Sequence, residues 1–188
     1  MEENIVRVKV IFYSLEGNSK LIAEEVAKSL NGDIVELKPK KHYANSGFKK
    51  YLWGGTSVLM KEKPELEAYD NNLDYDLLVI GTPVWAGTFS PAIRTFLKEN
   101  NLDGRKVALF ACHAGGGADK CFEKFKKFSH NCKVISTMDF VDPLKKDTAN
   151  NIDKAVKWAK SLYNIKVKNY KKQYFKSYVY ILVNRAII

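Results

Sequence analysis

Residues 5–30 read IVRVKVIFYSLEGNSKLIAEEVAKSL, and their reading decides the fold. Val6, Val8, Val10, Ile11, Phe12 and Tyr13 make the β-branched and aromatic run of a buried strand. Ser14 to Ser19, SLEGNS, is a polar turn. From Lys20 the apolar period changes, with Leu21, Ile22, Val26 and Leu30 at helical spacing and Ala23 and Ala27 beside them. A strand feeding a helix through a tight loop aims the first helical N–H groups at one spot. Those donors and the helix dipole favour an anion there. Ser14 and Ser19 add hydroxyls, Asn18 an amide, and Gly17 allows close backbone approach. The alternative is an ordinary strand-to-helix turn capped by Asn18 or Ser19. No lysine or arginine precedes Lys20 in the loop, so neutral hydrogen bonds would do most of the holding. The glycine spacings of a Walker loop and of a dinucleotide fingerprint are both missing.

Working outward, Ile34–Leu37 reads as a short second strand and Lys38–Tyr75 as a long connection. Phe48, Tyr51, Leu52, Leu59 and Met60 suggest helical pieces there, interrupted by Gly54-Gly55. Asp76–Gly81, DLLVIG, is a third strand, apolar enough for burial on both faces. The loop TPVWAGTFSP and a helix from Ala92 to Glu99 follow. Arg105–Ala111 is a fourth strand, followed by CHAGGG and a helix through Cys121, Phe122, Phe125 and Phe128. Lys133–Phe140 is a fifth strand, and Thr148–Leu162 the last helix. Strands alternating with helices predict a parallel sheet with helices on both faces. Ligands of such sheets sit beyond the carboxyl ends of the strands. The loops after strands one, three and four should therefore meet at one crevice.

The chain of 188 residues, 46% apolar, fits a soluble globular protein, with residues 1–164 as the domain and 165–188 as a tail. No apolar run is long enough to span a membrane, and the acidic N-terminus MEENIVRVKV is not a signal peptide. Cys112, Cys121 and Cys132 form neither a zinc signature nor a disulfide framework. A reducing, cytoplasmic setting follows. Of the net charge of +10, the tail contributes six positive charges and no acid, leaving +4 for the rest. The body is only moderately basic, which argues against a nucleic-acid partner. The tail's lysines interleaved with aromatics would suit a single strand or a membrane surface, but a solvated tail or an added edge strand is the simpler reading.

Taken together, the three loops resemble those of the flavodoxins and their FMN-binding relatives, over most of residues 5–162. Ser14-Leu15-Glu16-Gly17-Asn18-Ser19 is similar to the family's phosphate loop, with Leu15 and Glu16 where glycine and threonine are usual. Glu16 would repel a phosphate unless its side chain points away. Thr82-Pro83-Val84-Trp85-Ala86-Gly87 resembles the loop covering one side of the isoalloxazine, and Ala111-Cys112-His113-Ala114-Gly115-Gly116-Gly117 the second flavin-contacting loop. The resemblance implies a flavodoxin-like α/β fold, a doubly wound five-stranded parallel sheet in the order 2-1-3-4-5, and FMN as cofactor. It implies cofactor contacts from Ser14, Glu16, Gly17, Asn18, Ser19, Thr82, Pro83, Val84, Trp85, Ala86, Gly87, Cys112, His113, Gly115, Gly116 and Gly117.

Each residue carries a second reading. Trp85 offers a flat indole for stacking on a flavin, or packs against the helix from Ala92. Thr82 and Thr88 bond a ligand or their own turn. Gly115–Gly117 bring backbone N–H groups to the pyrimidine end of a flavin, or form a flexible turn. Cys112 and His113, neighbours on an extended segment, point to opposite faces and make no catalytic pair. His113 bonds a reduced flavin or is a satisfied turn histidine, and Cys112 is structural. Trp53 with Gly54-Gly55 is a second aromatic wall or a local core. The function implied is electron transfer through bound FMN, with no side-chain general acid or base and no metal. The partner is then a redox protein or NAD(P)H; the alternative is an NAD(P)H-dependent quinone or flavin reductase. In one-electron carriers of the family the loop after strand three turns a peptide on reduction, and Ala86-Gly87 is the peptide in that place. A phosphoacceptor domain is excluded, because Tyr13-Ser14 and Gly81-Thr82 stand where carboxylates are needed. Neither the oligomeric state nor the electron donor is legible.

Overall fold

A computed structural model of the chain describes residues 6–40, 63–129 and 131–163. The expected helical pieces over 48–60 and the Trp53 wall, like the 165–188 tail, lie outside them. Five strands are described: β1 (Val8–Phe12), β2 (Asp33–Glu36), β3 (Leu77–Pro83), β4 (Lys106–His113) and β5 (Lys133–Val141). All pair in parallel, in the order β2-β1-β3-β4-β5. The helices are α1 (Asn18–Leu30), α2 (Pro91–Glu99), α3 (Ala118–Phe128) and α4 over residues 148–163.

The alternation of side chains on each strand divides the core in two. Ile11, Ile80 and Leu109 face one layer with Ile93, Phe96, Phe122 and Phe125 of α2 and α3. Phe12, Val79 and Phe110 face the other, with Ile22 and Val26 of α1 and Trp158 and Leu162 of α4. Phe110 meets Phe140 and Trp158 edge-on, at 6.3 and 6.4 Å between centroids. Its ring occupies the space above Gly81: a Cβ there would stand 2.0 Å from Phe110 Cζ, so only glycine fits.

Two strands run further than their apolar runs suggest. β3 continues through Thr82-Pro83 and β4 through Cys112-His113, because the ladder pairs Thr82 with Ala111, Pro83 with Cys112 and His113 with Val141. These four residues therefore stand on strand ends and not in loops. The chain leaves β1 toward β2 on one side and resumes at β3 on the other. That reversal opens the crevice at the carboxyl ends of β1 and β3.

Candidate functional site

The first loop closes on itself around an oxygen. Ser14 Oγ accepts hydrogen bonds from Gly17 N (3.1 Å) and Lys20 N (3.2 Å). Backbone donors thus converge on one oxygen position at the α1 N-terminus, where the first-turn N–H groups have no intrahelical acceptor. The cap residue is Gly17, at φ 90° and without a side-chain capping bond, and not Asn18 or Ser19, the caps of the alternative reading as an ordinary turn. Asn18 turns aside: its Oδ1 accepts from Leu144 N (3.0 Å) and its Nδ2 donates to Asp142 Oδ1 (3.3 Å). Glu16 is exposed, so its charge is turned to solvent. Ser19 is fully buried.

The second loop is a tight hairpin. Trp85 N donates to Thr88 O (2.9 Å) and Thr88 N to Trp85 O (3.0 Å). Ala86 and Gly87 between them have φ of 47° and 68°. Two left-handed central residues define a type I′ turn. Turning the Ala86-Gly87 peptide would convert it to type II′, whose first central position is a glycine position. Ala86 therefore resists the flip that Gly87 alone would permit. Trp85 is 7% exposed and meets Tyr13 edge-on, with centroids 5.8 Å apart and planes at 88°. Thr82 Oγ1 donates to Pro83 O and accepts from Ser90 N, both at 3.0 Å, which anchors the start of α2.

In the third loop Cys112 and His113 face opposite sides of the sheet, as the strand geometry requires. Cys112 lies in the α1–α4 core. Burial pushes its thiol up to about 12; the neighbouring Ser19 hydroxyl opposes the rise and Asp139 adds to it. It is no nucleophile at neutral pH. His113 Nε2 lies 3.0 Å from Asp139 Oδ2. Gly115 and Gly116 are exposed, with open space where a Cβ would be. Gly117 caps α3 and approaches the hairpin, its Cβ position 3.4 Å from Gly87 Cα and 3.3 Å from Val84 Cγ1. The second and third loops are thus in contact.

Four buried side-chain N or O atoms have no hydrogen-bond partner among the described residues: Ser19 Oγ, Thr88 Oγ1, His113 Nδ1 and Arg94 Nε. Ser19 Oγ lies beside the Cys112 thiol of the α1–α4 core, whereas Thr88 Oγ1 and His113 Nδ1 belong to the second and third crevice segments. The fourth lies in a guanidinium stacked between Phe89 and Phe128, 5.0 Å from each ring centroid. A cavity of about 440 Å³ lies elsewhere, lined by Lys40, Glu65, Leu66, Tyr69, Glu99 and Asn100 among others, none of them a residue of the three loops. Sequence reasoning missed Asp139 and the segment after β5. Asp139 pairs with His113 only through the parallel register. The segment after β5 also follows a strand's carboxyl end, and that signal was available.

Comparison with known proteins accords with this geometry. The model of a family described as flavodoxin matches residues 7–170, and the chain belongs to that family. Among solved structures, it is similar to a Lactobacillus acidophilus flavoprotein resolved in complex with FMN, at 24% identity and a TM-score of 0.62. The match covers 76% of this chain and 99% of that one. A candidate flavoprotein of Bacteroides uniformis matches at 20% identity and a TM-score of 0.69, over 82% and 98% of the two chains. A WrbA-like flavodoxin protein of Agrobacterium tumefaciens matches at 14% identity and a TM-score of 0.56, over 85% and 96%.

Proposed function

We propose that this protein binds FMN in the crevice at the carboxyl ends of β1, β3 and β4 and transfers electrons through it. The family and the FMN complex of a structural neighbour support FMN as the cofactor. The observation that carries the reading is the pair of unpartnered buried atoms Thr88 Oγ1 and His113 Nδ1, on the second and third crevice segments. Buried polar groups are otherwise almost always paired, and an unpaired one costs about 1–3 kcal/mol. Two such groups on neighbouring crevice segments suit a ligand with several polar edges. Gly17 N and Lys20 N fix Ser14 Oγ as their acceptor at the α1 N-terminus, so that its O–H is the donor it offers a phosphate.

FMN supplies the redox chemistry when bound. The residues of this chain bind and orient it. Ser14 would hold the phosphate through its hydroxyl and Ser19 through its backbone N–H, since the Gly17 N–H already donates to Ser14 Oγ and the Ser19 hydroxyl lies against Cys112. Asn18 contributes its backbone N–H, since its amide is bonded to Asp142 and Leu144. The hairpin Val84–Gly87 walls one side of the ring system, with Trp85 held by Tyr13. The N–H groups of Gly115–Gly117 meet the pyrimidine edge, where negative charge collects on reduction. The electron partner is a redox protein or NAD(P)H. The type I′ turn at Ala86-Gly87 favours the second source, direct reduction by NAD(P)H, because Ala86 opposes the backbone turn that one-electron carriers of the family use.

The test is the visible spectrum of the purified protein, followed by extraction and chromatography of the flavin. An oxidised-flavin band and released FMN are expected. Predominant FAD, or no flavin after reconstitution, refutes the reading.

A further inference from the structure

The segment after β5, residues 142–147, is tied to two of the three crevice loops. Asn18 of the phosphate loop grips it twice, through Leu144 N and Asp142 Oδ1. The Leu144 side chain lies against Gly17, its Cδ1 3.0 Å from the position of a Cβ there. Asp142 N donates to His113 O (2.8 Å), and Lys146 Nζ donates to Ala114 O (3.5 Å) at the start of the glycine loop. The segment is held in one shape. Asp142 and Asp147 both have positive φ, 44° and 47°, an unfavourable conformation for non-glycine residues that persists only where the surroundings impose it. Asn151 Nδ2 fastens the far end by donating to Lys146 O (2.7 Å) and Asp147 O (3.1 Å).

The phosphate loop holds no cation before Lys20, and Lys20 pairs outward with Glu24 at 3.9 Å. A phosphate dianion there would be met by neutral donors alone. Lys146 stands on the neighbouring segment and makes no ion pair among the described residues. Its ammonium rests on a carbonyl at the outer limit of a hydrogen bond. The geometry points to residues 142–147 as a fourth wall of the cofactor site, with Lys146 as the cation that meets the phosphate. The inference rests on the FMN reading and deepens it. Its physical content is a charge-assisted contact from an exposed side chain, anchored by the Asn18 tether and weakened by salt.

The experiment compares FMN and riboflavin affinities, by flavin fluorescence quenching at low salt, for the wild type, Lys146→Ala, Lys146→Arg and Lys145→Ala. Lys146→Ala is expected to lose about five-fold in FMN affinity. Its riboflavin affinity is expected to stay at the wild-type level, Lys146→Arg to keep wild-type affinity for both ligands, and the FMN loss to shrink in 1 M salt, where the Debye length is about 3 Å. Circular dichroism melts of the flavin-free proteins check that each variant is folded. Wild-type FMN binding with an unchanged Lys146→Ala overturns the inference and leaves the FMN reading standing. An equal loss in Lys145→Ala, which removes the same charge one residue away, also overturns it, because only net charge would then be acting. A wild type that binds neither ligand overturns the FMN reading, and this inference with it.

Discussion

The two ends of β1 differ in how they treat polar groups. At the N-terminal end Lys9 is fully buried, yet its ammonium donates to Asp70 O (2.8 Å), Asp70 Oδ2 (2.7 Å) and Asn72 O (2.8 Å). An ammonium has three donors, and all three are matched. The Tyr75 ring lies 5.1 Å from Nζ, and Tyr75 itself donates to Asp33 Oδ2 at 2.5 Å. At the C-terminal end, Thr88 and His113 each keep a buried polar atom without a partner among the described residues. The closed end shows that this chain can satisfy even a buried charge, here with two backbone carbonyls and one carboxylate. Unmatched atoms at the open end therefore mark where the chain leaves room for something else.

Trp85→Ala should have the largest effect. A nearly buried tryptophan in the α2–α3 core is worth about 3–5 kcal/mol of stability on truncation, measured by urea unfolding of the flavin-free protein. A loss below about 1 kcal/mol there, with FMN affinity much reduced, would move Trp85 wholly to the open end and break the contrast.

Lys9→Met tests the closed end and should cost roughly 2–4 kcal/mol, since it takes the ammonium from two part-buried carbonyl contacts and from the Asp70 carboxylate. FMN affinity should not change. The Lys9 ammonium, and then the Asn72 N–H, hold the Asp70 carboxyl below its ordinary value of 3.8. Its folded pKa is depressed, so its contribution to stability is present above the unfolded value and is lost as pH falls through the folded one. Lys9→Met should therefore flatten the acid limb of the stability curve below pH 3.8. A steeper limb would contradict the assignment.

Ser14→Ala probes the opposite end. It removes the oxygen on which two N–H groups converge, and is expected to weaken FMN by about 1–2 kcal/mol. Riboflavin, which has no phosphate, should be spared; equal losses would place the phosphate elsewhere. Thr88→Val sharpens the contrast further. Replacing a buried unpaired hydroxyl by a methyl should stabilise the flavin-free protein by about 1 kcal/mol while lowering FMN affinity. Lower stability in that variant would mean that the hydroxyl already has a partner.

The smallest effect is expected for Ala86→Gly, which relieves a left-handed alanine and should shift stability by no more than about 1 kcal/mol. It frees the Ala86-Gly87 peptide to turn, so the gap between the first and second one-electron potentials should change. A potentiometric titration with an unaltered gap would show that this peptide does not govern the electron count.

The sheet was legible because its evidence is local. LLVIG, and VKVIF but for Lys9, are apolar without alternation, as strands covered on both faces must be, and the switch to helical spacing at Lys20 leaves no other reading of residues 5–30. The parallel order followed from the alternation of strands and helices and from the family resemblance. What the residues did not disclose depends on register and on contacts distant in sequence. β3 and β4 reach Pro83 and His113 because each is paired by its neighbour, so propensity at the strand ends was overruled. Asn18 looks like a helix cap in sequence and is a tether to residues 142 and 144, more than 120 positions away. Lys9 looks out of place in a buried strand until Asp70 and Asn72 close over it. By itself, then, the sequence determined the elements and the three crevice loops, because periodicity and turn chemistry act over a few residues. Only the tertiary structure decided which polar atoms are paired and which are left open, because hydrogen bonding depends on positions in space that a linear pattern does not encode.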